Sequence, residues 1–316
     1  MAKAKSAFVC TECGSEFSKW QGQCSGCREW NTLQEIRVGA TVLPGAAPAA
    51  GAVAGSAARS ASNGRGGYAG TLSDNVTDLS NVSLAEVPRF SSTFGEFDRV
   101  LGGGLVPGSA VLLGGHPGAG KSTLLLQTAC KLAQHKRSLY VTGEESLSQV
   151  AMRAHRLQLP TQGLKMLAET SVETILATAE REKPEVLIID SIQTMHLEDL
   201  SSAPGGVSQV RESAAALTRF AKRTNTVLLL VGHVTKDGSL AGPKVLEHMI
   251  DASLLLEGDG DSRFRTLRGQ KNRFGAVNEL GVFAMVELGL KEVKNPSAIF
   301  LSRSEEQSSG SLVMVV

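Results

Sequence analysis

Short apolar runs punctuate the second half of the chain, each closing on a polar residue or a glycine. Ser109–Leu113, Ser138–Thr142, Val186–Ile189, Thr226–Val231 and Ala252–Leu256 are hydrophobic almost throughout. Runs of this length, bounded by turn residues, predict strands buried on both faces. Phe264–Gln270 adds a strand that pairs with the run before it. Between the runs the period changes. Leu125, Ala129, Leu132 and Ala133 recur at helical spacing, and a second helix extends from about Val207 to Thr224. Arg211, Arg219, Lys222 and Arg223 on that helix form either a nucleic-acid face or a solvated one. Strands alternating with helices predict an α/β fold around a parallel sheet.

The pattern is lost between about Val38 and Ala85, where Gly, Ala, Ser and Pro dominate. That composition predicts a flexible linker with a root-mean-square span of roughly 35–40 Å. Ahead of it, Cys10-Thr11-Glu12-Cys13 and Cys24-Ser25-Gly26-Cys27 form two C-x-x-C knuckles ten residues apart. Four thiolates in paired knuckles suit one tetrahedral Zn²⁺, and a closed four-sulfur site is structural rather than catalytic. A redox C-x-x-C is the rival; it would come singly on a thioredoxin-like βαβ pattern, which is absent. Phe8, Phe17, Trp20 and Trp30 crowd the knuckles, as a DNA-stacking surface or as the small core a ribbon needs. Residues 1–37 are therefore expected to be a zinc ribbon, 38–85 a linker and 86–303 the α/β core.

Composition narrows this only a little. The 316 residues allow more than one domain, and 42% hydrophobic content is ample for a core. With 32 basic and 31 acidic residues the net charge is +1, so overall charge names no partner. No apolar run approaches the ~18 residues of a membrane helix. No apolar stretch follows Lys3 and Lys5, so the N-terminus does not read as a secretory signal. Five cysteines, four of them in knuckles, fit a reducing compartment, which predicts a cytoplasmic protein.

The chemistry concentrates after the first apolar run. Gly115, His116, Pro117, Gly118, Ala119, Gly120, Lys121 and Ser122 match the phosphate-loop pattern G-x-x-x-x-G-K-[ST], with Thr123 next. A strand, a glycine-rich turn and a helix N-terminus together aim backbone N–H groups at an anion, with the helix dipole behind them. The glycines let the backbone approach phosphate without a Cβ in the way. Lys121 supplies charge to the β- and γ-phosphates, and the Ser122 hydroxyl suits Mg²⁺. This pattern predicts binding of a nucleoside triphosphate, ATP by the resemblance given below. Val186–Asp190 reads as a Walker B strand whose Asp190 also suits Mg²⁺. Glu144 and Glu145 follow the second strand, where a carboxylate faces the ligand crevice and can orient water; alternatively they start the next helix. Which of the two activates water stays open. His233 closes its strand as a γ-phosphate sensor or as an ordinary terminal histidine. The segment from Thr194 to Gly206 is expected to be mobile, and Lys236 to Lys244 forms a second polar, glycine-bearing loop. Lys271-Asn272-Arg273-Phe274-Gly275 ends the last strand pair, its two cations on one side to grip a phosphate from outside, or as an exposed basic strand edge. Cys130 is a small buried side chain.

With the knuckles, Gly115–Thr123, Val186–Asp190 and Lys271–Gly275 in place, the sequence resembles the bacterial RadA (Sms) family, RecA-like ATPases with an N-terminal four-cysteine zinc finger. The resemblance covers Phe8–Arg37 and about Ser83 onward. It implies a hexameric, ATP-dependent motor on single-stranded DNA that drives branch migration of recombination intermediates, working beside a RecA-type recombinase. It also implies that Lys271 and Arg273 act in trans on a neighbouring subunit's ATP, and that the loops after Asp190 and His233 face the DNA. The family continues into a domain similar to the Lon protease fold. By that resemblance residues 304–316 are expected to be only its start, and the chain a truncated one. A KaiC-like ATPase switch, gating partner binding through the ribbon, is the alternative from another class.

Overall fold

The computed structural model describes residues 5–10, 16–17, 19–26, 28–38, 88–233, 246–258 and 262–294. The expected linker beyond Val38, the segment 304–316, Lys236, Lys244, Cys13 and Cys27 lie outside the described residues. The N-terminal unit is a three-stranded antiparallel sheet of β1 (Lys5–Cys10), β2 (Glu16–Phe17) and β3 (Leu33–Val38), in the order β2-β1-β3. Its core is Cys10, Cys24 and Leu33, with Phe8 and Phe17 packed against them. The aromatics therefore divide. The phenylalanines build the small core, whereas Trp20 and Trp30 stand 57% and 68% exposed on either side of Gly22.

The larger unit is one nine-stranded sheet. Its strands are β4 (Ala110–Gly115), β5 (Ser138–Thr142), β6 (Leu164–Ala168), β7 (Val186–Asp190), β8 (Val227–Val231), β9 (Ala252–Glu257), β10 (Phe264–Asn272), β11 (Leu280–Val286) and β12 (Gly289–Glu292). They lie in the order β12-β11-β10-β9-β4-β8-β7-β5-β6. The six strands from β9 to β6 are parallel, and β10, β11 and β12 extend the sheet antiparallel. The α-helices are α1 (Gly95–Val100), α2 (Lys121–Leu132), α3 (Leu147–Arg156), α4 (Val172–Glu182) and α5 (Val207–Thr224).

Continuous apolar strands make sense only if both sheet faces are covered, and they are. Val111, Leu113, Ile188 and Leu229 point into one core with α1, α2 and α3. Their neighbours Leu112, Leu187, Ile189 and Leu230 point into the other with α4 and α5. Each such side chain contributes about 1.5–3 kcal/mol by leaving water, so this alternation fixes the register of the whole sheet. Cys130 on α2 is fully buried, and burial pushes its thiol up to about 11, which makes it an inert packing residue.

One feature differs from expectation, and a second bears on an alternative left open. The segment after β7 is fastened rather than loose. A single turn of 3-10 helix (Ile192–Thr194) follows Asp190, and the buried Gln209 side chain then donates to the carbonyls of Leu197, Leu200 and Ser202 at 2.9–3.2 Å. One buried amide thus satisfies a run of loop carbonyls that alternating strands cannot reach. The basic positions of α5 are also largely accounted for. Lys222 pairs with Asp251, Arg223 with Glu180 and Arg211 with Glu212, so the helix carries a mixed-charge face rather than a basic stripe.

Candidate nucleotide site

Parallel strands bring their C-terminal ends to one edge of the sheet, and the predicted chemistry gathers there. Beyond β4 the chain turns through Gly115–Gly120 into α2, whose N-cap, Gly120, has φ +104°. Of the loop glycines, Gly118 is the one whose missing Cβ would point into open space, as a loop that receives a ligand requires. Gly115 is glycine for a different reason, since a Cβ there would lie 2.4 Å from the Leu256 carbonyl oxygen. The Lys121 ammonium folds over the loop and donates to the carbonyls of Gly115 and His116 at 2.8 and 2.9 Å. Burial lowers its pKa, while the charges of Asp190 and Glu144 oppose that shift. Lys121, Asp190 and Glu144 therefore share one local field, and Ser122 and Thr123 occupy the first turn of α2 beside them. A cavity of about 570 Å³ opens beyond Thr123, lined by Arg156, Leu157, Gln158 and the turn Met285–Gly289.

Asp190 ends β7, only 7% exposed, and its Oδ2 accepts a hydrogen bond from the Tyr140 hydroxyl at 2.5 Å. Burial, followed by the adjacent Asp190 charge, raises the Tyr140 pKa well above its ordinary value and keeps the phenol a donor. Among the described residues Oδ1 of Asp190 carries no hydrogen bond. A buried carboxylate with one oxygen oriented and the other free suits Mg²⁺ held together with the Ser122 hydroxyl. The peptide between Asp190 and Ser191 is cis.

The two glutamates after β5 part company. Glu144 turns toward the β7 and β8 ends, where its Oε1 accepts from the Ser191 hydroxyl and lies 3.3 Å from Nε2 of His233. The His233 hydrogen bond, more than any other cause, holds the Glu144 carboxyl below its ordinary range, with Ser191 and Lys121 adding to it. Glu145 turns the other way and pairs with Arg153 on α3. Gly143 permits this split. A Cβ there would lie 2.1 Å from the Thr194 hydroxyl, so only glycine lets the β5 turn close against the β7 turn.

Lys271 and Arg273 are not part of this edge. β10 runs antiparallel to β9, so Lys271 sits opposite Ser253 and the Arg273 N–H donates to the Asp251 carbonyl at 2.9 Å, level with the start of β4. β11 pairs with β10 only from Phe264 to Arg268, so Lys271 lies past that pairing and the exposed Arg273 follows the strand's end; the reading of an exposed basic strand edge stands beside the other. Lys271 donates to the carbonyls of Glu247 and Ile250, and Arg273 pairs with Asp251 at 3.2 Å. Tyr140, Ser191, Gly143 and Asp251 were missed as site or support residues by sequence reasoning. The Tyr140 hydroxyl inside an apolar strand was the one available signal, because a buried phenol needs a partner.

In the ribbon, Cys10 and Cys24 are fully buried in one cluster. The Gly26 N–H donates to Cys24 Sγ at 3.3 Å, the bond a knuckle gives a metal-bound thiolate. Buried thiols so arranged fit a thiophilic ion.

The strand order β9-β4-β8-β7-β5, with a phosphate loop after β4, defines a RecA-like P-loop NTPase core, joined in this chain to a small zinc ribbon. Residues 85–239 match the family described as AAA domain, and residues 8–35 match the rubredoxin metal binding domain. The chain is 64% identical over 318 residues to the DNA repair protein RadA of Escherichia coli (strain K12), covering 100% of this chain and 66% of that protein. It is 59% identical to the protein of that name from Pseudomonas aeruginosa over 99% of this chain and 65% of the relative. With the Bacillus subtilis (strain 168) protein the identity is 46%, over 98% of this chain and 64% of the relative. The chain belongs to the RadA family of DNA repair proteins, and it spans about two thirds of the length of these curated relatives.

Proposed function

We propose that this chain is the ATP-hydrolysing core of a ring-shaped motor on single-stranded DNA, with each nucleotide completed by a neighbouring subunit. Lys121 and the α2 N-terminus bind the β- and γ-phosphates, and the cavity beyond Thr123 takes the nucleoside. Ser122 and Asp190 would hold Mg²⁺, which when bound offsets phosphate charge. Glu144 orients the attacking water. A carboxylate held below its ordinary range is a poor proton acceptor, so its contribution is alignment by a charged hydrogen bond more than proton removal. Ser191 and His233 keep it aimed. Glu145 belongs to α3 through Arg153.

One observation carries the reading. Lys271 and Arg273 stand at the opposite end of the sheet from their own phosphate loop. Ala110 to Gly115 spans about 17 Å at 3.3 Å per residue, and β4 to β10 adds two strand spacings of about 4.8 Å each. Neither side chain reaches its own γ-phosphate. Across a subunit boundary they neutralise charge developing there, as an arginine finger does, for roughly 10³-fold or more in rate. Cys10, Cys13, Cys24 and Cys27 would hold Zn²⁺ as the structural centre of the ribbon. The relatives' name, DNA repair protein RadA, supports DNA as the partner; branched recombination intermediates as substrate and a hexamer as the assembly are what the family resemblance implies.

Two measurements test this. ATP hydrolysis should rise on adding single-stranded DNA; a rate indifferent to DNA would instead mark a regulatory switch. Lys271→Ala and Lys121→Ala proteins should each be inactive yet recover hydrolysis on mixing. Failure to recover, in subunits shown to exchange, would end the trans assignment.

A further inference from the structure

We propose that Asp251 is the positioning residue for the trans cations, its buried carboxylate fixing Arg273 to the first residue of the phosphate-loop strand. This rests on the reading that Lys271 and Arg273 act on a neighbour's nucleotide. Asp251 is 3% exposed. Its Oδ2 accepts from the Ala110 N–H at 3.0 Å, and its Oδ1 accepts from Lys222 Nζ at 3.0 Å and Arg273 Nη1 at 3.2 Å. A buried carboxylate must be fully partnered, and these donors divide the work. The Ala110 N–H belongs to the sheet and sets where the carboxylate lies. Lys222, itself largely covered, balances its charge.

Arg273 is then not needed for neutralisation. It remains 48% exposed, so its guanidinium is oriented on one side and open on the other. Its backbone N–H and Nη2 also bond the Asp251 and His248 carbonyls, which ties its base to the same turn. Lys271 caps the Glu247 and Ile250 carbonyls of that turn. Lys222 and Arg273 contact the Asp251 carboxylate and Lys271 lies within its field together with Glu247, so three cations meet two acids here and Arg273 is the cation that stays exposed. That arrangement suits an external anion rather than a closed internal ion pair. A misplacement of about 1 Å in such a group can cost 10²-fold in rate.

The test uses Asp251→Asn, which keeps an acceptor for the Ala110 N–H while removing the charge, and Asp251→Glu, which keeps the charge but shifts it by one methylene. Each should lose roughly 10- to 100-fold in kcat, with ATP affinity at the subunit's own loop unchanged. Mixed with Lys121→Ala protein, either variant should regain hydrolysis, up to about one quarter of parent sites for random head-to-tail neighbours. Mixed with Lys271→Ala protein it should regain none, since both lesions lie on the same face. A purely structural role would weaken the subunit's own site and would not be rescued by the Lys121→Ala partner. If Lys121→Ala and Lys271→Ala complement each other while both Asp251 variants fail to complement Lys121→Ala, Asp251 is not a positioning residue. Parental hydrolysis by the folded Asp251→Asn protein would overturn the proposal equally. Absence of complementation between Lys121→Ala and Lys271→Ala would instead sink the trans reading beneath it.

Discussion

Replacing Glu144 and Glu145 in turn by glutamine separates water activation from helix anchoring. The Glu144 carboxylate accepts from Ser191 and lies 3.3 Å from His233 within the field of Lys121. An amide keeps one acceptor oxygen but loses the charge that aligns water against phosphate. Loss of a positioned acid–base group costs about 10²–10⁴-fold, or roughly 2.7–5.4 kcal/mol at 1.36 kcal/mol per decade. Glu145 is different. Its partner is Arg153, with the two side chains 34% and 17% exposed, and a partly exposed ion pair is worth about 1 kcal/mol or less after screening. Glu145→Gln should therefore lower the denaturation midpoint slightly and leave kcat within a few-fold of parent. The assay is phosphate release at saturating Mg-ATP, alongside titration with a fluorescent nucleotide to show that both variants still bind. An active Glu144→Gln protein, or an inactive but folded Glu145→Gln protein, would refute the assignment.

The remaining predictions concern the other parts of the site. Lys121→Ala should abolish tight ATP binding, whereas Asp190→Asn should bind and fail to hydrolyse, both read by nucleotide titration and phosphate release. Cys13→Ser should remove one Zn²⁺ per chain by metal analysis and loosen the ribbon. The two tryptophans, Trp20 and Trp30, both lie in the ribbon, so their anisotropy should fall while the core melts unchanged by circular dichroism. The His233 hydrogen bond is the largest cause of the low Glu144 pKa, and the ionised form is the active one. His233→Ala should accordingly raise that pKa and move the acid limb of kcat/KM to higher pH; an unmoved limb counts against Glu144.

What could be read from sequence follows a physical division. The buried strands were legible because an element covered on both faces is written as a continuous apolar run. Val186–Asp190 and Ser138–Thr142 end where those runs end. The phosphate loop was legible because its demands fall on consecutive residues. β6 was not anticipated, being a partly exposed edge strand whose Leu164-Lys165-Met166 pattern is short. Neither were β11 and β12, an antiparallel pair with polar and glycine positions. The choice between Glu144 and Glu145 was illegible for another reason. Adjacent residues diverge according to Gly143 and Thr194, and the second of these lies across the sheet edge. Asp251 escaped notice because its partners Ala110, Lys222 and Arg273 meet only once β4, α5 and β10 are assembled.

The polarity of the sheet is what makes an assembly the economical reading of these parts. β4, β5, β7 and β8 all run the same way, so Lys121, Glu144, Asp190 and His233 arrive at one edge. β10 runs the other way, and its end carries Lys271 and Arg273 to the opposite edge. On the proposed reading, a single chain presents an anion-binding half-site at one end of its sheet and the Lys271 and Arg273 cations at the other. Two unlike surfaces that complement each other across copies make a heterologous contact, which repeats head to tail until it closes into a ring or runs on as a filament. Hydrolysis that needs both halves is then switched by the geometry of the boundary. On that reading, a shift of about 1 Å between neighbours would change the rate as much as a mutation in the site. On the proposed reading, this is how a strand of DNA touching several subunits could control ATP hydrolysis without approaching a phosphate.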